Sequence, residues 1–232
     1  GLEADGLEAD LVATVRERRW PRLGEAFRFS DAERSVLARH ASPGWGAHED
    51  ALRLLAALVH ALRPERILEF GSGVSSLVVT MALRRRGGGE LLSIDESSRY
   101  ADRTRTWLAE ESLSERAEVL HCPVRRQRIL ARESYCYDLC YDLGSVADRI
   151  HDLDMVFIDG PNSMPVIGHP GARFGTLPLI RDRLAPGALL ILDDAGRRVE
   201  RRIAARWAEL DGIRPLGTLE LARGLSIFSY QP

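Results

Sequence analysis

From residue 63 onward, short apolar runs alternate with stretches whose apolar positions recur at helical spacing. The runs are RILEF (66–70), ELLSID (90–95), AEVLH (117–121), DMVFID (154–159) and ALLILD (188–193). Short strands separated by amphipathic helices imply right-handed βαβ units and a buried parallel sheet. The end of the chain departs from this rhythm: IRPLGTL and GLSIFSY are separated only by ELAR, a spacing that suits an antiparallel hairpin and not another crossover. Upstream, residues 7–20 read as a helix closed by Trp20-Pro21, and Ser30 with Glu33 forms a capping box opening a second helix to about His40. SPGWG (42–46) is a loop, after which AHEDALRLLAALVHAL carries apolar residues at helical spacing and stops before Arg63-Pro64. The pattern predicts an α/β fold: a doubly wound sheet of seven strands, mostly parallel with an antiparallel C-terminal hairpin, plus N-terminal helices. Residues 1–46 form a helical extension that packs on the core, caps the site or makes a homodimer contact, and residues 47–232 form the main domain.

Composition narrows the partners. A chain of 232 residues buries one sizeable core. Its formal net charge of -2 comes from nearly balanced acids and bases, which argues against a nucleic-acid partner. The arginines of SSRYADRTRTWLAEE and GRRVERRIAARWAEL are interleaved with acids, as on solvated faces. All 32 basic side chains are arginine, so no step can use a lysine amine. Cys122, Cys136 and Cys140 include a Cys-x3-Cys pair without a second pair, which fits free thiols in a reducing compartment better than zinc. No apolar run approaches the ~20 residues a membrane span needs, and GLEADGLEAD lacks the basic and apolar regions of a signal peptide. A soluble, cytoplasmic protein is expected.

The chemistry begins at ILEFGSGVSSL (67–77). Gly71 and Gly73 let the backbone turn tightly beside a ligand, with Ser75 and Ser76 where the next helix offers free N–H groups. In a dinucleotide fold this turn cradles a pyrophosphate, which Glu69 would repel. Glu69 suits a ligand end that is cationic or donates hydrogen bonds. One βα unit further on, Asp95 and Glu96 stand where an acid accepts ribose hydroxyls. Adenosine without phosphate, carrying a cationic amino-acid tail, describes S-adenosylmethionine. The succession ILEFGSG, LLSIDE, DMVFIDG and LLILDD resembles the class I S-adenosylmethionine-dependent methyltransferases over roughly residues 47–230. That resemblance implies a Rossmann-like sheet, with Glu69, Gly71, Gly73 and the serines at the methionine end of the cofactor and Asp95 on its ribose. It places Cys122 and Pro123, where the family often has an aspartate, near the adenine.

A second acidic group is formed by Asp159, after the fourth run, and Asp193-Asp194, after the fifth. Neighbouring parallel strands lie ~4.8 Å apart, so the three carboxylates share one rim. Their repulsion calls for a raised pKa or a bound cation, and oxygen ligands favour Mg2+, with Mn2+ or Ca2+ as substitutes. The constellation resembles the metal-dependent O-methyltransferases, which implies an ion binding two neighbouring acceptor oxygens and lowering the hydroxyl pKa. A helix cap plus a cofactor-pocket acid is the other account of Asp193-Asp194. Where the catechol type carries a lysine base, this chain has Asn162. His169 in DGPNSMPVIGHPGARFG is the candidate base beside Asp159, with His151 the lesser candidate because it precedes the strand. Residues 160–175 are too long for an ordinary βα connection and read as a substrate loop. Within it Arg173 either pairs with an acidic acceptor group or forms a surface salt bridge. Tyr135, Tyr137 and Tyr141 either stack on an acceptor or pack in the core.

The expected activity is methylation of a small-molecule hydroxyl with S-adenosylmethionine, assisted by a divalent cation, with no nucleic-acid or membrane partner. The alternatives are aminopropyl transfer of the spermidine synthase type and a non-catalytic adenosine-binding or scaffold role. A nicotinamide-linked oxidoreductase conflicts with Glu69.

Overall fold

The computed structural model describes residues 20–40, 46–131, 134–162 and 171–232. A seven-stranded sheet is built from β1 (Arg66–Phe70), β2 (Glu90–Asp95), β3 (Ala117–His121), β6 (Leu153–Ile158), β7 (Leu184–Asp193), β8 (Ile213–Leu219) and β9 (Leu225–Tyr230) in the order β3-β2-β1-β6-β7-β9-β8. The first five in that order pair in parallel, while β9 is antiparallel to both β7 and β8. The expected fold, a mostly parallel sheet closed by an antiparallel hairpin, is thus observed.

Strand periodicity explains how the sheet divides the core. Ile67, Met155, Phe157, Leu189 and Ile191 face one buried cluster, and Leu68, Phe70, Val156, Ile158, Leu190 and Leu192 face the other. The first face is covered by α3 (Glu49–Leu62) and α4 (Val74–Arg86), joined there by Leu23, Phe27, Phe29 and Val36 from the N-terminal segment. The second is covered by α6 (Arg173–Ile180) and α7 (Arg198–Trp207), where the Trp207 indole N–H donates to the Phe174 carbonyl at 2.9 Å. Helix α5 (Ser98–Glu110) joins β2 to β3. Among the described residues no helix is long and apolar enough to cross a membrane.

The N-terminal caps follow from sequence. Glu33 N–H donates to Ser30 Oγ at 3.2 Å and Ser30 N–H to Glu33 Oε2 at 2.7 Å, starting α2 (Asp31–His40) as the capping box requires. Helix α3 ends at Arg63, whose left-handed φ of 53° is followed by Pro64. The helix expected over residues 7–20 lies outside the described residues except for Trp20, which with Pro21 belongs to α1 (Trp20–Ala26). Residues 124–141, outside the strand-like runs read from the sequence, form an antiparallel pair, β4 (Val124–Ala131) with β5 (Ser134–Tyr141), apart from the main sheet.

Candidate active site

A cavity of about 540 Å³ opens at the carboxyl edge of the parallel strands, lined by the turn after β1, the end of β2, the segment after β6 and the residue after β7. This is where ligands bind in sheets whose connections diverge at a switch point, here between β1 and β6. Gly71 makes the approach of these two strand ends possible. Its φ is +92°, and a Cβ there would lie 2.8 Å from the Gly160 nitrogen. A Cβ on Gly73, by contrast, would meet nothing within 4 Å, so its absence widens the cavity floor.

Of the residues singled out from sequence, Gly71, Gly73, Ser75, Asp95, Glu96, Asp159 and Asp194 line the cavity. Glu69 and Ser76 lie behind its wall, both fully buried. Residue 69 is in phase with Ile67 and points to the face covered by α4, not to the open edge. Its Oε2 accepts from Ser76 and, at 2.5 Å, from Ser93, and Ser76 Oγ in turn accepts from Gly73 N–H at 3.0 Å. Glu69 thus shapes the glycine turn through Ser76. Burial pushes its carboxyl up to about 7, against the opposing pull of the serine hydroxyls.

Asp95 accepts from Ser72 N–H and Oγ at 2.9 and 2.7 Å and from Ser97 N–H at 2.9 Å. Burial, and then the neighbouring Glu96, raise its pKa. Glu96 is pinned by the Tyr141 hydroxyl and the Asn162 N–H, both at 2.9 Å. Tyr141 itself is fully buried against Phe70, so it holds the wall and is not a stacking surface. Cys122 and Pro123 do not line the cavity, and Cys122 belongs to the core, its thiol pushed up to about 11 by burial. His151 sits beside Asp152 at the opposite edge of β6. His169 lies outside the described residues, as do the side chains of Tyr135 and Tyr137.

The acidic rim differs most from expectation. Among the described residues no three His, Cys, Asp or Glu side chains are grouped to hold a metal ion. Instead the Arg173 guanidinium, 3% exposed, bridges Asp159 Oδ1 at 3.1 Å and Asp194 Oδ2 at 3.2 Å. Arg197 adds a second contact to Asp194 at 2.8 Å. The surface salt bridge expected of Arg173 is thus a buried one. Asp193 does not line the cavity, and its Oδ2 has no hydrogen-bond partner. Burial, with Asp159 and Asp194 nearby, holds its pKa well above the usual carboxylate range. Asp159 is 15% exposed. Burial pushes it up to about 6, opposed by Arg173 and assisted by Asp194.

Sequence reasoning missed the remaining wall. Tyr100, Arg103 and Trp107 follow one face of α5, with the Arg103 guanidinium 4.7 and 4.6 Å from the two ring centroids. Their i, i+3, i+7 spacing was the available signal. Arg223, from the β8–β9 turn, donates to the Gly46 carbonyl at 2.9 Å, joining that turn to the N-terminal side of the cavity.

The sequence profile of the methyltransferase domain family matches residues 68–195, more than half of the 232-residue chain, and the chain belongs to that family. Sheet order and family together make it a class I, S-adenosylmethionine-dependent methyltransferase. No curated protein sequence matches the chain. Solved structures share its fold at low identity. A Podospora anserina methyltransferase bound to S-adenosylhomocysteine is 14% identical, with TM-score 0.68 over 94% of this chain and 96% of that one. An O-methyltransferase from Bacillus cereus, in complex with the same molecule, is 17% identical with TM-score 0.64 over 92% and 99%. An O-methyltransferase involved in tomaymycin synthesis in Streptomyces achromogenes, in complex with S-adenosylmethionine, is 17% identical with TM-score 0.61 over 93% and 98%.

Proposed function

We propose that this protein transfers the methyl group of S-adenosylmethionine to a hydroxyl oxygen of a small molecule, with Asp159 accepting the hydroxyl proton. The observation that carries the reading is the Asp159 carboxylate, which lines the cavity, is 15% exposed and is shifted up to about 6. A base titrating near neutrality is ionised at working pH yet still basic enough to take a proton. When bound, the cofactor supplies a methyl group activated by a sulfonium.

The residues present fit that cofactor. The cavity floor at Gly73 is open, and a carboxylate offers about four lone-pair sites, so Asp95 keeps capacity for a ribose hydroxyl beyond its three donors. Glu69 beneath the turn disfavours a diphosphate. Arg173, held by Asp159 and Asp194, orients the base from behind. The segment before residue 47 serves as a cap, since Gly46 contributes to the cavity wall. The O-methyltransferase neighbours from Bacillus cereus and Streptomyces achromogenes support oxygen as the acceptor atom. Aminopropyl transfer is less well served, because Arg173 and Arg197 already neutralise the acids a polyamine would need.

The deciding experiment is transfer of label from S-adenosylmethionine to a panel of hydroxylated small molecules by the wild type and Asp159→Asn. Label in an ether product, lost in the variant, supports the reading. Label moving only to amines, or transfer unaffected by the substitution, sinks it.

A further inference from the structure

The chemistry of three neighbouring carboxylates calls for a cation, and the structure supplies one from the chain itself. Arg173 opens helix α6 with its side chain turned under the rim and 3% exposed. A guanidinium has five N–H donors, and here its three nitrogens make four hydrogen bonds and a further ion-pair contact. Nε donates to the Pro161 carbonyl at 3.2 Å. Nη1 faces the Asp193 carbonyl at 3.3 Å and Asp194 Oδ2 at 3.2 Å. Nη2 faces the Asp159 carbonyl at 2.5 Å and Asp159 Oδ1 at 3.1 Å.

We propose that Arg173 takes the place of a divalent cation in this site, discharging Asp159 and Asp194 and holding Asp159 toward the acceptor, so that the protein works without added metal. A dication coordinates carboxylate oxygens at roughly 2.0–2.6 Å. Bound to the oxygens that Arg173 already holds, it would lie against the guanidinium in a site largely screened from water, where like charges repel strongly. The two cations are therefore alternatives, and four hydrogen bonds with two ion pairs favour the one built into the chain. A second consequence concerns the acceptor. A metal selects acceptors with two neighbouring oxygens to chelate it, whereas a saturated arginine makes no such demand, and a single hydroxyl suffices. Arg173 is a positioning residue, since its donors are spent on the protein. The word acceptor rests on the function proposed above, but the decisive measurements below read cation binding and hold whatever molecule is methylated.

The first measurement needs no variant. Mn2+ is titrated into the metal-stripped wild type and its free signal followed by electron paramagnetic resonance, with the expectation that no stoichiometric binding is seen. Mn2+ bound at one site and lost in Asp159→Asn would overturn the proposal. The second is thermal unfolding of Arg173→Ala in millimolar guanidinium chloride against sodium chloride of equal ionic strength. The variant should melt on the order of 10 °C below wild type, because two buried acids lose their counter-ion. Guanidinium should recover part of that loss while lowering the wild-type melting temperature. A variant that gains nothing from guanidinium refutes the assignment. A third measurement separates positioning from mere support, using labelled S-adenosylmethionine and a phenol that the wild type methylates. Arg173→Ala should lose kcat about 100-fold, with KM for the cofactor within about threefold, and guanidinium should restore kcat. If guanidinium restored stability but left kcat unchanged, the positioning role would be wrong.

Discussion

Glu69 shows how far one residue's role depends on the direction of its side chain. Its place at the end of an apolar strand is legible in sequence, and so is the glycine turn after it. The period of two that puts residue 69 in phase with Ile67 turns the carboxylate away from the cavity, into contact with Ser76 and Ser93. That burial makes a prediction about stability. The folded carboxyl is raised to about 7, so between its ordinary value and about 7 the native state keeps a proton that the unfolded chain has released. Unfolding then releases a proton, and stability falls as pH rises through that window, by at most about 1.4 kcal/mol per pH unit. Glu69→Gln keeps the acceptor oxygen and removes the titration, so its melting temperature should vary less between pH 5 and pH 8, with the difference confined to the part of that range below about 7. A wild-type curve that rises across this range would contradict the assignment. Asp159 carries the matching prediction for activity. Its carboxyl, pushed up to about 6, must be ionised to take a proton, so kcat/KM should rise with pH and level off above neutrality. Asp159→Asn should cost about 10²–10⁴ in kcat, with S-adenosylhomocysteine affinity little changed by calorimetry.

Among the elements, those with strong local punctuation were the legible ones. The Ser30–Glu33 capping box, the stop before Pro64 and the five apolar runs each combine a periodic signal with a boundary signal, and each produced the expected element. The β4–β5 pair was not legible because it lacks a face. Arg125, Arg126 and Arg128 are all exposed, so polar residues fall on both sides of β4 and the alternation that marks a half-buried strand is absent. The junction of β1 with β6 was half legible. Glycine at 71 implied a close approach, but not to what, and the partner proves to be Gly160, where an added Cβ would lie 2.2 Å from the Tyr141 hydroxyl. Gly71→Ala therefore meets both a backbone clash and a positive φ, and neither can relax without separating the two strand ends. The expected outcome is a loss of stability of about 2 kcal/mol or more, seen in denaturant midpoints, together with loss of S-adenosylhomocysteine binding. A variant as stable as wild type that still binds would show that the two backbones do not need to touch.

At the scale of the molecule, the order β3-β2-β1-β6-β7 brings together residues that sequence spacing cannot connect. Asp95, Asp159 and Asp194 reach one edge because their strands do, which was foreseeable once the parallel sheet was recognised. Arg173 reaches the same edge from below, at the start of a helix packed on the second face. No periodicity announces which way such a side chain turns, so the cation at the rim was read as a metal. The finished cavity has an internal charge pattern that makes a prediction about ligands. Asp95 and Glu96 line it beside the glycine turn, Glu69 lies under that turn, and Asp159 and Asp194 are compensated by Arg173 and Arg197. A diphosphate on the turn would stand over one buried acid and beside two more. The same turn suits the neutral ribose and cationic amine of an S-adenosyl compound. In calorimetry S-adenosylhomocysteine should bind, NAD should give no measurable heat at equal concentration, and Asp95→Asn should weaken S-adenosylhomocysteine about tenfold, the equivalent of one charged hydrogen bond at ~1.4 kcal/mol. Raising salt should change the first affinity little, since its contacts lie in a part of the cavity where screening is weak. Equal binding of NAD would mean that the carboxylates beneath and beside the turn do not set ligand choice, and the sulfonium nucleoside would lose its physical argument.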